Sequence, residues 1–226
     1  MASPRAVRRP LAVIFDMDGL MLDTERLAAR AWGEAAAALG VEFDVALALG
    51  MVGRNFGDCT AMVRAHYGAD YPVDALLGRW HATYDEIVER EGLALKPGLT
   101  ELLDWLDDHA IRRAVATSTR RERARTKLAR TALLPRFHDL VGGDEVARGK
   151  PAPDIYAEAA RRLGASAGEC LVLEDSEPGV RAALAAGMMP IMVPDLHAPA
   201  ADLLVLDLLV LPTLHEVLRH LAQLPP

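Results

Sequence analysis

The chain has little cysteine, lysine or aromatic content and no long apolar run. Its two cysteines, Cys59 and Cys170, are far apart and form no C-x-x-C pair, which excludes a disulfide framework and a cysteine zinc site and points to a reducing, cytoplasmic setting. Three lysines (Lys96, Lys127, Lys150) stand against 22 arginines, and the 32 acidic and 25 basic residues leave a net charge of −7. A polyanion such as nucleic acid is therefore not an expected partner. No apolar stretch approaches the ~18 residues of a membrane span, because the longest, 203–211, is broken by Asp207. No signal-type stretch follows Arg5, Arg8 and Arg9 either, since residues 11–15 run straight into Asp16, and residues 1–10 read as a disordered tail. What the chain does have is apolar bulk: 51% of its 226 residues are hydrophobic, enough for a substantial interior.

That bulk is distributed with a rhythm. Short apolar runs at 11–15, 113–117, 137–141, 170–173, 190–193 and 203–206 read as strands. Between them, 99–109, 120–132, 153–163, 178–186 and 214–221 carry helical periodicity, so the expected fold is α/β, a doubly wound parallel sheet. One interval breaks the alternation. About 95 residues separate the first two strands, where a crossover needs only ~10 to 12. An inserted all-helical domain at 24–94 explains this, with helices expected at 25–39, 44–51, 56–67 and 74–91, and the Lys96-Pro97-Gly98 turn marks the return to a core formed by 11–23 and 95–226.

The first strand runs into Asp16-Met17-Asp18-Gly19, which puts two carboxylates at i and i+2, on one side of an extended chain. Ligands of open α/β sheets bind beyond the carboxyl ends of strands, although Asp-Gly can equally be a plain turn. The fourth strand candidate ends in Glu174-Asp175-Ser176, adding two carboxylates at the same edge if both strands are central. Four like charges require a counter-charge, and an oxygen-only donor set suits Mg²⁺. Ser176 before Pro178 is also a good helix N-cap. Thr117 ends the second core strand, and Thr119-x-x-Glu122 has the spacing of a capping box, which would place a hydroxyl beside fresh helix N–H groups. Lys150, in Gly149-Lys150-Pro151, offers a point charge for a phosphoryl oxygen, or is an ordinary loop lysine. It is not a P-loop lysine, because Asp144 and Pro151 occupy the places of the required glycine and hydroxyl residue.

In chain order, Asp16-x-Asp18-Gly19, Thr117, Lys150 and Glu174-Asp175 resemble the four motifs of the haloacid dehalogenase-like superfamily. Residues 14–25 and 149–156 look like the first and third motifs of its phosphatase branch, residues 174–188 look like the fourth, and a helical insert after the first motif is that branch's cap domain. The resemblance implies a Mg²⁺-dependent phosphatase acting on small-metabolite phosphate monoesters, with an aspartyl-phosphate formed on Asp16. Asp18 would be the acid–base, and Thr117, Ser118 and Lys150 would hold the phosphoryl group. The metal would lie on Asp16, the backbone carbonyl of Asp18 and Asp175, with Glu174 as ligand or orienting neighbour. Arg54, in Gly53-Arg54-Asn55, falls where relatives present a substrate-facing loop. A monomer or weak homodimer without nucleic-acid or membrane partners is expected.

The chief rival is a β-phosphoglucomutase-like phosphomutase, whose arginine Arg54 matches. The cap histidine of that family falls on Ala28, however, and the insert has no lysine. A dehalogenase lacks an acid at the place of Asp18, and a receiver-type signalling domain is about half this length. A non-catalytic phospho-ligand module would not need every motif position filled. The seven histidines show no metal-ligand spacing, and Trp32, Trp80 and Trp105 read as packing residues on helices. Cys59 is placed to face a cleft from the insert, whereas Cys170 begins a buried strand.

Overall fold

The computed structural model describes residues 9–54, 56–68, 70–196, 198–204 and 208–225, so residues 1–8 of the tail predicted at 1–10, together with Asn55 and His197, lie outside the described residues. Six parallel strands, β1 (Ala12–Phe15), β2 (Arg112–Ala116), β3 (Asp139–Val141), β4 (Cys170–Glu174), β5 (Met189–Met192) and β6 (Leu209–Val210), form one sheet in the order β3-β2-β1-β4-β5-β6. Central β1 and β4 are buried along their whole length, β1 being apolar throughout and β4 apolar up to Glu174 at its carboxyl end. Alternate residues of β1 face opposite layers: Val13 and Phe15 lie in one apolar cluster, Ala12 and Ile14 in the other.

Four helices, α1 (Glu25–Leu39), α2 (Val45–Gly50), α3 (Phe56–Tyr67) and α4 (Val73–Glu91), follow β1 before the chain returns to the sheet. They enclose apolar clusters of their own, in which Trp32 is stacked between Phe43 and Trp80 at 4.8 Å from each. The tryptophans therefore pack as their helical spacing suggests. Core helices α5 (Leu99–Asp108), α6 (Arg121–Arg130), α7 (Asp154–Leu163), α8 (Glu177–Ala185), α9 (Ala201–Leu204) and α10 (Leu214–Gln223) complete the fold. Leu102 and Leu106 of α5 join Leu214, Val217 and Leu221 of α10 against Val13 and Phe15, while Tyr156 of α7 and Ala183 of α8 cover Ala12 and Ile14. Each fully buried leucine of this kind contributes roughly 2 kcal/mol.

Three expectations need correction. The strand predicted at 203–206 is instead the short helix α9, with residues 205–207 outside the described set, and the sixth strand begins at Leu209. An apolar run without alternation is compatible with either state. Leu203 is buried there against Val180 and Met192, and Asp202 is ion-paired with Arg181 of α8. The capping box predicted at Thr119 does not form, because α6 starts two residues later at Arg121 and the Thr119 hydroxyl is engaged elsewhere. Arg9 and Pro10 belong to the fold rather than to a loose tail: Arg9 donates from its backbone N–H to Pro225 O and from Nε to Leu224 O, and its guanidinium lies over Trp105.

Candidate active site

β1 and β4 are neighbours from which the chain winds in opposite directions, so a crevice opens beyond their carboxyl ends. The register pairs Phe15 with Leu173, and the Asp16 N–H donates to Leu173 O at 3.0 Å. Asp16, Glu174 and Asp175 are thereby brought together, and one oxygen from each lies within 4.8 Å of the others.

Lys150 reaches this group from the loop before α7. It is only 1% exposed, so it is not a solvated loop lysine, and its Nζ donates to Asp16 Oδ1 and, at 2.6 Å, to Glu174 Oε1. Glu174 is fully buried, and both of its oxygens are taken. The Tyr156 hydroxyl donates to Oε1 at 2.6 Å, and Ser176 donates to Oε2 from its N–H and its hydroxyl, each at 2.9 Å. Ser176 also caps α8, accepting from Gly179 N–H as its place before Pro178 suggests.

Burial raises the Asp16 carboxyl above its ordinary range and the charges of Glu174 and Asp18 add to this, with Lys150 opposing. Asp175 is pushed up in the same way, first by burial and then by Glu174 and Asp16. For Glu174 the burial penalty is outweighed by Lys150, Tyr156 and Ser176, which hold it below the usual range. A cluster with two carboxyls driven up by burial and then by neighbouring carboxylate charge is short of positive charge, and an all-oxygen set of this spacing could hold a metal ion. Gly19 is required beside it. Its φ is +88°, and a Cβ there would overlap the Asp175 carboxylate.

Asp18 is turned toward different partners. Thr24 Oγ1 and Lys127 Nζ donate to its Oδ1 at 2.8 and 2.6 Å, and Thr119 Oγ1 donates to Oδ2 at 2.7 Å, with Thr117 Oγ1 at 3.4 Å. Against its burial, the Lys127 charge and these hydrogen bonds hold Asp18 below its ordinary range. For neighbouring Glu25, burial, followed by the Asp18 charge, outweighs the charges of Lys127 and Lys96 and pushes it up to about 7.

A cavity of about 590 Å³ separates this edge from helices α1–α4. Asp16, Asp18, Thr117, Ser118 and Lys127 line it from the sheet side, and Trp32, Met51, Arg54, Trp80 and Tyr84 from the helical side. Lys150, Glu174 and Asp175 are buried beside Asp16. Ser118 Oγ donates to Gly53 O at 2.9 Å, so the loop carrying Arg54 touches the sheet edge. Arg54 itself is exposed and donates to Gly50 O at 3.2 Å. Cys59 and His81 also line the cavity. Burial pushes the Cys59 thiol up to about 12, which leaves it without thiolate character.

Sequence reasoning gave no site role to Lys127, Thr24 or Tyr156, and read Thr119 as a helix cap. For Lys127 a signal existed, since it shares a helix face with the buried Ala124 and Leu128, an unusual place for one of only three lysines.

The family description "haloacid dehalogenase-like hydrolase" matches residues 10–187. A phosphorylated carbohydrates phosphatase from Thermotoga maritima is 33% identical over 177 residues, covering 78% of this chain and 82% of the relative. A beta-phosphoglucomutase from Bacillus subtilis is 32% identical over 188 residues, covering 80% and 82%. The crystal structure of CbbY from Rhodobacter sphaeroides in complex with phosphate superposes with a TM-score of 0.77 at 29% identity, covering 92% of this chain and 96% of that one. The chain belongs to the haloacid dehalogenase-like hydrolase family.

Proposed function

We propose that the protein is a Mg²⁺-dependent phosphatase that hydrolyses small-metabolite phosphate monoesters, of sugar or nucleotide type, through an aspartyl-phosphate on Asp16. The observation that carries this reading is the contrast between two cavity-lining carboxylates two residues apart: Asp16 backed by Lys150, Glu174 and Asp175, and Asp18 held by Lys127 and three threonine hydroxyls. A relative named for dephosphorylating phosphorylated carbohydrates supports the substrate class.

In this reading Asp16 attacks phosphorus and splits one displacement into two easier ones. Asp16, Asp175 and the backbone carbonyl of Asp18 would hold Mg²⁺. Both Glu174 oxygens already accept hydrogen bonds, which favours an orienting role for that residue. Bound there, Mg²⁺ supplies the positive charge that lets a carboxylate approach a phosphoryl group. Lys150 keeps Asp16 ionised and oriented, Thr117 and Ser118 hold a phosphoryl oxygen, and Asp18 protonates the leaving oxygen and then takes a proton from water. Segment 24–94 acts as a cap domain that excludes water over the core formed by 11–23 and 95–226, with Arg54 at the cavity rim for a second anionic group.

The mutase alternative is disfavoured by position 28, which lines the cavity and is alanine where that family carries its cap histidine. The test is a panel of sugar, nucleotide and glycolytic phosphates assayed with Mg²⁺. Free phosphate released without a bisphosphate activator is expected. Isomerised sugar phosphate as the main product, or no metal-dependent turnover of any ester, would remove the hydrolase reading.

A further inference from the structure

Segment 24–94 meets the core along two edges of unlike construction. At the edge where the chain enters and leaves the segment, the Asp23 N–H donates to Ala94 O at 3.0 Å and the Lys96 N–H to Met21 O at 2.9 Å. Beside these crossings Asp195, its side chain only 3% exposed, accepts at 2.7 Å from Arg26 near the start of α1 and at 2.7 Å from Lys96. Stripping a buried carboxylate of its cations is costly, so this edge resists parting.

The other edge is α4 against α6. Arg123 pairs with Asp85 at 2.6 Å and Arg130 with Glu89 at 2.8 Å, while Lys127, one turn along α6 from Arg123, lies 5.2 Å from the centre of the Tyr84 ring. All four paired side chains are at least 39% exposed, and such pairs are individually weak and screened by salt. What distinguishes this edge is the sign of its charge. In a chain of net charge −7, the core presents Arg120, Arg121, Arg123, Arg125, Lys127 and Arg130 against one acid, Glu122, and the later half of α4 presents Asp85, Glu86, Glu89 and Glu91 against Arg90. Tyr84, Arg123 and Lys127 also line the cavity, so parting α4 from α6 opens it.

We propose that the helical segment opens by turning about its two chain crossings, that the α4–α6 edge is the gate, and that complementary charge on these helices draws it shut. The inference rests on the cap reading of segment 24–94 given above. Opening then breaks exposed ion pairs and leaves the buried cluster around Asp195 intact.

The experiment reverses the charge of one helix at a time in the full chain. It follows kcat/KM on p-nitrophenyl phosphate with Mg²⁺ and the rate at which iodoacetamide alkylates Cys59, a thiol on the cavity wall, Cys170 being buried in β4. Asp85→Lys with Glu89→Lys is expected to speed alkylation and to lower kcat/KM, each about 10-fold at about 0.05 M salt and less than about threefold at about 1 M. Added positive charge at the rim would by itself speed the arrival of an anionic ester, so this loss reports closure and not steering. Adding Arg123→Glu and Arg130→Glu to that variant should bring both signals back to within about threefold of the parent, which a merely structural role does not predict. Losses that add instead of cancelling, or changes that salt does not diminish, overturn the proposal. Should the reversed chain fail to fold, Asp85→Asn with Glu89→Gln removes the attraction without adding repulsion; changes of about threefold are expected, and none at all overturns the proposal equally. Faster alkylation with unchanged kcat/KM upholds the gate and removes the cap's role in turnover, whereas unchanged alkylation in every variant sinks the gate alone.

Discussion

Asp16 and Asp18 are two residues apart on one loop, yet they occupy opposite electrostatic surroundings. Around Asp16 the neighbours are carboxylates with a single buried lysine, and burial drives the group upward. Around Asp18 the neighbours are a lysine and threonine hydroxyls, and the group is held down. The difference shows how one sheet edge can separate two carboxylate roles through the elements that arrive at each. β4 and the loop before α7 supply the partners of Asp16, whereas α6, the start of α1 and the loop after β2 supply those of Asp18. Without a cation the split runs against the proposed roles, the nucleophile being raised and the acid held down, and positive charge at the Asp16 cluster is what would reverse it at Asp16.

The strongest way to break this comparison is to neutralise one member at a time. Asp16→Asn should reduce turnover of any phosphate ester by at least ~10⁴-fold, as loss of a nucleophile does. Measurable hydrolysis by a preparation free of contaminating phosphatase would take Asp16 out of that role. Lys150→Met leaves Asp16 and the fully buried Glu174 uncompensated and should cost about 3–5 kcal/mol of stability. The sign with pH follows from Glu174, whose pKa is depressed when folded. Its contribution is present above the unfolded value and lost as pH falls, so the stability gap between variant and parent, read from urea unfolding, should narrow toward pH 4.

A smaller effect tests the metal. Asp16, Asp175 and Glu25 are raised by burial, so in metal-free protein their ionisation costs stability as pH climbs from the unfolded carboxyl value through their folded values, about 7 for Glu25. Mg²⁺ binds the ionised cluster, and its increase in Tm should therefore be several degrees larger at pH 8 than at pH 5.5. An equal shift at both values would separate the cluster from the metal. Smallest of all, Arg54→Ala should raise KM for doubly anionic esters by about threefold while leaving p-nitrophenyl phosphate alone, because the side chain is exposed and its charge is screened.

Most of the fold was readable because buried parallel strands are apolar over most of their length and a helix must repeat near 3.6, and both patterns are local. The failures share a cause. At 203–206 an apolar run had no alternation to choose its state, and burial of Leu203 beside Val180 and Met192 decided for a helix. At Thr119 the capping spacing was present, but the hydroxyl donates to the Asp18 carboxylate across the sheet edge and α6 begins only at Arg121.

The chain alone pointed to the parallel α/β core, the helical insertion and the candidates Asp16, Asp18, Thr117, Glu174 and Asp175, written in contiguous residues around strand ends, with Lys150 from the loop before α7. Only the tertiary structure decided that Lys150 is paired with Asp16, that Glu174 has both oxygens occupied and that Lys127, against the Tyr84 ring, is paired with Asp18. The physical reason is distance along the chain. Lys127 is 109 residues from Asp18, and no local periodicity encodes which of three scarce lysines will be desolvated against which carboxylate.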